Sequence, residues 1–401
     1  MRDFAGSLRM DVVVFAFSHE DNIFAYTNAL CKYTDISVTV ILFSYGETFS
    51  ASSFTKNIRE FHYGLTTNNI RERMLPPELN NELDQHLNIW LLRLAPKKMS
   101  IKNVIISSMY LLLFYIRIRN KFQIYHFNGV GWHSLFLSYL FRNAKKVLTI
   151  HDYISHSGEE GKYTSKMNRK LVHNFDYYIQ HYDYLANEFS SYYSVERSKV
   201  FTIRSGTFDH FKAFIEVTPV YKNYILSFGR ISPYKGLLYL VNGFREYCKE
   251  NTDIHLVIAG EGDVSDILDI INKEPKIHLI KKRLSIYELV GLIKNCLFTV
   301  CSYTDATHSA VTVVSYTFSK PVLAHNIGGL SEVINNGETG ILIPDLRAPT
   351  IKEGIIRMLE LIQSNRTQKG ISYLTNQGIM NWHQIAKQYE MLYNAIDLIN
   401  K

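Results

Sequence analysis

Residues 297–344, LFTVCSYTDATHSAVTVVSYTFSKPVLAHNIGGLSEVINNGETGILIP, constrain the fold more than any other stretch. The apolar run Phe298–Val300 reads as a buried strand. It enters a loop of small hydroxyl residues, Ser302 to Ser309, and then an apolar helix over Val311–Phe318. A second strand is expected over Pro321–Ala324. A Gly328-Gly329 turn, a short amphipathic helix, an Asn336-Gly337-x-Thr339-Gly340 turn and a third strand, Gly340–Ile343, follow. Strands alternating with helices in this way build a parallel sheet covered by helices. Where a strand feeds a loop that opens a helix, the free N–H groups of the first turn and the helix dipole favour an anion. The stretch is suited to a phosphate.

The same alternation occupies the rest of the chain. Val12–Phe17 and Val38–Phe43 read as strands around a helix over Ile23–Tyr33. A helix is expected over Ser100–Arg119, strands over Phe122–Phe127 and Lys146–Ile150, and a helix over Gly129–Phe141. Residues 46–100 are polar and rich in Asn and Arg, and read as an irregular insert of helices and loops. The stretch Asp209–Asn223 lacks periodicity. After it the alternation restarts with strands at Tyr224–Phe228, His255–Ala259 and Ile277–Ile280. A chain of 401 residues exceeds what one core supports. The expected fold is therefore α/β with two doubly wound, Rossmann-like domains facing across a cleft. The N-terminal domain is placed at 1–210, the linker at 211–223, the C-terminal domain at 224–380 and a last helix at 381–401, packing back on the N-terminal domain.

Composition narrows the class. Hydrophobic residues make up 46% and charged residues 20%, which suits a folded globular chain. A net charge of +7 admits anionic partners without choosing one. Cys31, Cys248, Cys296 and Cys301 lack metal-ligand spacing and read as buried thiols. The segment before Val12 does not read as a secretory signal, and the apolar stretch Val104–Ile116 falls short of a membrane span. The expected location is the cytoplasm, with contact at the inner face of a membrane. Basic clusters at Lys97-Lys98, Arg117–Lys121 and Arg142–Lys146 would attract anionic lipid headgroups. They are not interleaved with an aromatic RNA-binding motif, so no nucleic-acid partner is expected.

The loop Gly229-Arg230-Ile231-Ser232-Pro233-Tyr234-Lys235-Gly236 carries two cations between a strand and a helix. An Arg fork and a Lys point charge at a sheet's carboxyl edge fit a diphosphate. Together with Ala259-Gly260-Glu261-Gly262, Lys320-Pro321-Val322, Gly328-Gly329-Leu330-x-Glu332 and Asn336-Gly337-x-Thr339-Gly340, this loop resembles the retaining GT-B glycosyltransferases of family 4, the glycogen-synthase-like group. The motifs stand in that family's order and spacing. The resemblance is strong over 222–345, weaker from Phe122 to Gly206, and poor over 46–100.

The resemblance implies a hexosyltransferase that moves a sugar from a UDP- or GDP-linked donor to an acceptor hydroxyl with retention. Surface polysaccharide or lipopolysaccharide synthesis is the implied setting, with a glycan or lipid-linked acceptor. Arg230 and Lys235 would hold the diphosphate with Gly229 and the helix start, Thr307, His308, Ser309, Ala310, Val311 and Thr312. His151, Asp152 and Glu159 resemble the N-domain loop facing the donor sugar, and His151 could take or hold a proton. His19 and Asn22 lie where the family has a Gly-rich acceptor loop, and with Asp152 and Glu159 they form the implied acceptor side. His126, His133, His173 and His181 are read as ordinary. The family's paired Glu residues are missing: their positions hold Ala306 and Val314, as in a variant sub-branch. No Asp-x-Asp or clustered ligand set suggests a metal, and no cofactor is expected beyond the donor. Two alternatives remain: a non-catalytic sugar-nucleotide-binding homologue, or another enzyme on the same fold. A sugar-nucleotide epimerase would need extra carboxylates in the cleft, and a phosphorylase a cofactor lysine.

Overall fold

The computed structural model describes residues 9–46, 48–49, 58–96, 100–153, 162–251, 253–306 and 309–398. The N-terminal sheet contains β1 (Asp11–Ala16), β2 (Ser37–Tyr45), β3 (Thr48–Phe49), β4 (Gly64–Thr66), β5 (Asn88–Leu94), β6 (Ile124–Asn128), β7 (Lys146–Thr149), β8 (Tyr177–Gln180) and β9 (Val200–Thr202). Its spatial order is β4-β5-β2-β1-β6-β7-β8-β9, with β3 beside β2. The C-terminal sheet contains β10 (Tyr224–Phe228), β11 (His255–Gly260), β12 (Ile277–Lys281), β13 (Thr299–Cys301), β14 (Val322–His325) and β15 (Gly340–Ile343), in the order β12-β11-β10-β13-β14-β15. All neighbours pair parallel except β3 with β2 and β4 with β5. Each sheet winds outward from its first strand and then reverses, which is the doubly wound pattern.

The β1 strand shows why continuous apolar runs make these sheets. Val12, Val14 and Ala16 pack into one core cluster, while Val13, Phe15 and Phe17 pack into another on the opposite face. A parallel strand covered on both faces cannot alternate with polar residues. Phe15 meets Phe127 edge-on at 4.7 Å, and Phe17 stacks on Phe43 at 4.3 Å. Cys31, Cys296 and Cys301 are free and buried, and Cys248 is partly buried.

Residues 46–100 differ from the expected insert of helices and loops. They supply β5, an interior strand of the N-terminal sheet that pairs with β2 from Thr39–Asn88 to Tyr45–Leu94. Two arginines organise the rest. Arg93 on β5 donates to the carbonyls of Gly46 and Phe61, and its guanidinium lies over the Tyr63 ring. Arg71 donates to Asn80 Oδ1 and to the carbonyls of Asn80, Leu83, Asp84 and Leu87. The high Arg and Asn content therefore holds irregular backbone whose carbonyls would otherwise lack partners.

The helix Ile101–Ile118 is longer than the apolar stretch that marked it. With 18 residues and a mean hydropathy of 1.5, it is long and apolar enough by composition to cross a bilayer, contrary to expectation, and 22% of it is buried. The Arg142–Lys146 cluster is likewise mostly structural. Lys145 pairs with Asp397 at 2.7 Å, and the buried Lys146 Nζ donates to the carbonyls of Phe141 and Arg142.

Among the described residues, the joints between the halves include the last helix and Glu332. The helix Trp382–Leu398 lies on the N-terminal domain: Tyr389 stacks on Tyr26 at 4.9 Å, and the Tyr393 hydroxyl meets His126 Nδ1 at 2.8 Å. From the C-terminal domain, Glu332 accepts from the backbone N–H groups of Asp183 and Tyr184 at 2.9 and 2.8 Å, and from Arg204. A carboxylate from one domain thus caps the Asp183–Tyr193 helix of the other. Gly329 permits the approach, because a Cβ there would stand 2.4 Å from the Tyr182 ring. Replacing Glu332 by Ala removes all three charge-assisted bonds, so unfolding free energy should fall by roughly 1–3 kcal/mol. Urea titration followed by circular dichroism checks this, and Glu332→Gln, which keeps one acceptor, should lose less.

Candidate functional site

The two sheets turn their carboxyl edges toward one cleft of about 710 Å³. Its C-terminal wall begins after β10. Gly229 (φ 102) leaves the strand, Arg230 stands exposed in the cleft, and a 3₁₀ turn Pro233–Lys235 brings the lysine back under it. Gly236 closes the turn at φ 63, where a Cβ would collide with the Ser302 carbonyl at 2.0 Å. The turn is bonded to the loop after β13: Ser302 Oγ donates to the Lys235 carbonyl, and the Thr304 N–H donates to the Tyr234 carbonyl.

Lys235 is 7% exposed. Its Nζ donates to the Tyr303 hydroxyl at 2.6 Å and lies 4.3 Å from that ring's centroid. Burial pushes its pKa down to about 8, and the nearby Arg230 charge acts in the same direction. A cation held this way is poorly solvated until an anion arrives.

The helix expected over Val311–Phe318 runs Ala310–Thr317. Ser309, Ala310, Val311 and Val314 line the cleft. Thr312 does not. It is fully buried on the back of the helix, beside the Cys301 thiol. The Ser309 hydroxyl lies 3.5 Å from that of Tyr303. Thr307 and His308 lie outside the described residues. Ala306 is buried and Val314 presents methyl groups, so neither acid position of the resemblance supplies a carboxylate. Glu261 after β11 and Arg283 after β12 complete this wall, and sequence reasoning assigned neither of them a role.

The opposite wall starts after β1. Here the helix opens at Glu20, three residues earlier than the periodicity suggests. His19 precedes it at φ 59, ψ 44, a left-handed conformation that non-glycine residues seldom adopt. No glycine stands between Gly6 and Gly46, and a histidine carries this conformation itself. His19, Asp21, His151 and Asp152 all line the cleft. Asn22 does not: it is buried, and its amide faces His181 Nε2 at 3.4 Å. Glu159 lies outside the described residues.

Three imidazoles stand in a row, with ring centroids 3.9 Å apart for His19–His151 and 4.9 Å for His151–His181 and the planes tilted by 32° and 42°. His151 is 4% exposed, and its Nε2 meets Asn128 Oδ1 at 3.0 Å. His181 Nδ1 donates to the Ile203 carbonyl, and burial lowers its pKa to about 4. His181 does not line the cleft; it is a neutral, buried histidine behind His151. His126 is also neutral: burial lowers it to about 3, and it joins Tyr393 to Thr149. His19 remains open to cleft water, but the surrounding protein lowers its pKa and Asp152 partly offsets that. Asp21 is raised to about 7, first by burial and then by the neighbouring Glu20 charge. Its Oδ1 has no hydrogen-bond partner among the described residues. No group of three or more His, Cys, Asp or Glu among the described residues is placed to hold a metal ion.

Comparisons with known proteins bear on the fold. Residues 210–371 match the family model for Glycosyl transferases group 1. The alpha-D-kanosaminyltransferase of Streptomyces kanamyceticus is 26% identical over 148 residues, which cover 34% of this chain and 36% of that protein. The match thus spans little more than a third of the curated relative. Among solved structures, sucrose-phosphate synthase from Thermosynechococcus elongatus superposes with a TM-score of 0.67 at 16% identity, covering 97% of this chain and 99% of that one. Anabaena HepE in complex with UDP-glucose gives 0.68 at 13% identity, covering 96% and 100%. The chain has the two-domain GT-B fold.

Two pH effects follow. Between pH 4 and 7 the folded state holds a proton on Asp21 that the unfolded chain has released, so ionisation there costs stability as pH rises. Asp21→Asn should be neutral near pH 4 and stabilising by roughly 1–2 kcal/mol above pH 7, measured by urea titration. Lys235 must be protonated to hold an anion. Affinity for pyrophosphate should fall as pH rises above 8, by up to about tenfold per pH unit. Titration calorimetry reads this slope, and Lys235→Gln should flatten it.

Proposed function

We propose that this protein is a retaining glycosyltransferase that uses a nucleotide sugar. One observation carries the reading: Lys235, Arg230 and the start of the Ala310–Thr317 helix line one wall of a cleft whose other wall presents His19, Asp21, His151 and Asp152. The first group suits a diphosphate, and the second suits sugar hydroxyls and an acceptor. The HepE structure contains UDP-glucose, and a UDP-linked donor is the first to try here. A glycan or lipid-linked hydroxyl is the proposed acceptor.

In the reaction, the bond from the sugar C1 to the β-phosphate oxygen breaks as the acceptor oxygen bonds to C1 on the same face. The acceptor's proton passes to the departing phosphate. Lys235 and Arg230 stabilise the charge that develops on that phosphate. His151, fixed by Asn128 and packed between His19 and His181, orients the donor sugar. Closure of the domains excludes water from the reacting carbon.

A second reading has its own support. Asp21, Asp152 and Glu261 supply the cleft carboxylates that a sugar-nucleotide epimerase needs. Assays with and without acceptor separate the two. Sugar transferred to an acceptor with the anomeric configuration kept supports the transferase. Nucleotide release with an epimerised sugar and no acceptor overturns it, and so does tight nucleotide binding without turnover. Lys235→Ala and Arg230→Ala should each lower the transfer rate by roughly tenfold or more, since each removes a charge-assisted contact to developing charge. Initial rates with labelled donor measure this, and near wild-type rates in both variants would remove the diphosphate assignment.

A further inference from the structure

The helix Ile101–Ile118 buries one side and leaves the opposite side bare. Leu111, Phe114 and Ile118 are buried in the N-terminal core, with Phe114 against Phe15 at 5.7 Å between ring centroids. On the other side, Ile101, Ile105, Met109, Leu112, Leu113 and Ile116 are 45–82% exposed. At about 100° per residue these six share an arc of roughly 120°, opposite the buried three. A contiguous apolar patch of this kind marks a surface with a partner.

Charge identifies the partner. Between Asp84 and Asp152 the chain has ten Lys or Arg residues and no Asp or Glu. Lys102 in the first turn is exposed, as are Arg117 in the last turn and Arg119 and Lys121 just beyond it. The apolar stripe is therefore rimmed by cations at both ends and has no acid beside it in sequence. Acyl chains suit the stripe, and headgroup phosphates suit the rim, which long basic side chains can reach. We propose that this face docks the N-terminal domain on an anionic phospholipid bilayer, with the helix lying in the plane of the interface. Spanning the bilayer would strip Leu111, Phe114 and Ile118 from the core, so the helix stays on the surface. A second copy of the chain fits less well: an isologous pairing would set cationic rim against cationic rim with no acid between them. The proposal rests on this surface and does not depend on the transferase reading.

Vesicle co-sedimentation of the full chain tests it. The chain should sediment with vesicles of equal phosphatidylcholine and phosphatidylglycerol and not with phosphatidylcholine alone, and added salt should weaken the binding. Ile105→Glu combined with Leu112→Glu, and separately Arg117→Glu combined with Arg119→Glu, should each lower the bound fraction about tenfold or more. All these side chains are exposed, so the circular dichroism melts should match that of the unaltered chain. Failure of the unaltered chain to bind the mixed vesicles overturns the proposal. So does binding that neither double variant reduces. A dimer in size-exclusion chromatography that I105E/L112E converts to monomer, without vesicle binding, would assign the face to a second copy instead.

Discussion

The site depends on a constraint of parallel sheets. Where strand order reverses, the connections from adjacent strands leave toward opposite faces, and a crevice opens that no backbone covers. This chain has two such points, between β1 and β6 and between β10 and β13. His19 and Asp21 follow β1, and Asn128 ends β6. Gly229 and Arg230 follow β10, and Ser302 and Tyr303 follow β13. Residues far apart in the chain are brought to one cleft because the windings of both sheets leave it open. The Glu332 cap and the Trp382–Leu398 helix then turn the two crevices toward each other, since each ties a group of one half to the backbone or rings of the other.

The two walls are electrostatically unlike. On one, Lys235 is a cation in a dry setting with a phenol hydroxyl as its partner, so its charged form is disfavoured until an anion enters. On the other, burial and Glu20 favour the protonated form of Asp21, while His181 is held neutral. The N-terminal wall can therefore donate and accept hydrogen bonds near neutral pH without a large net charge, and the C-terminal wall is cationic. A substrate with a phosphate at one end and hydroxyl groups at the other matches that division.

The C-terminal sheet was legible in the sequence because its strands are short, mostly apolar runs, and the turns after β10, β11 and β14 carry the positive-φ glycines Gly229, Gly262 and Gly328. The cleft cations were legible for the same reason: they sit on a Gly-bounded loop at a strand end. What escaped depends on helix phase and on backbone partners. Asp21 faces the cleft and Asn22 the core because the helix already begins at Glu20. Val311 and Val314 share the cleft side, whereas Thr312 and Ser315 share the back, one beside Cys301 and the other bonded to Thr299. A start displaced by one to three residues changes which side chains are presented. The β5 strand was hidden by Arg93 within it and by flanking helices of five and six residues, too short for periodicity to show. Arg71 and Arg93 do their work on carbonyls, which no sequence pattern displays.

The missing acids have a structural consequence. Val314 lies on the cleft side one turn beyond Val311, so a carboxylate at that position would face a bound ligand, and here the ligand meets methyl groups. Glu332 cannot stand in, because its oxygens are committed to the Asp183 and Tyr184 N–H groups and to Arg204. Polar side chains on the same wall stand at the ends of β11 and β12, where Glu261 and Arg283 are exposed and reach the cleft. The Gly260–Gly262 turn sets this up. Its backbone passes so close to Gly229 and Ile231 that a Cβ at Gly260 would stand 1.9 Å from the Gly229 carbonyl, which holds Glu261 beside the Gly229–Gly236 loop. The C-terminal wall thus sets an apolar helix face beside polar strand ends.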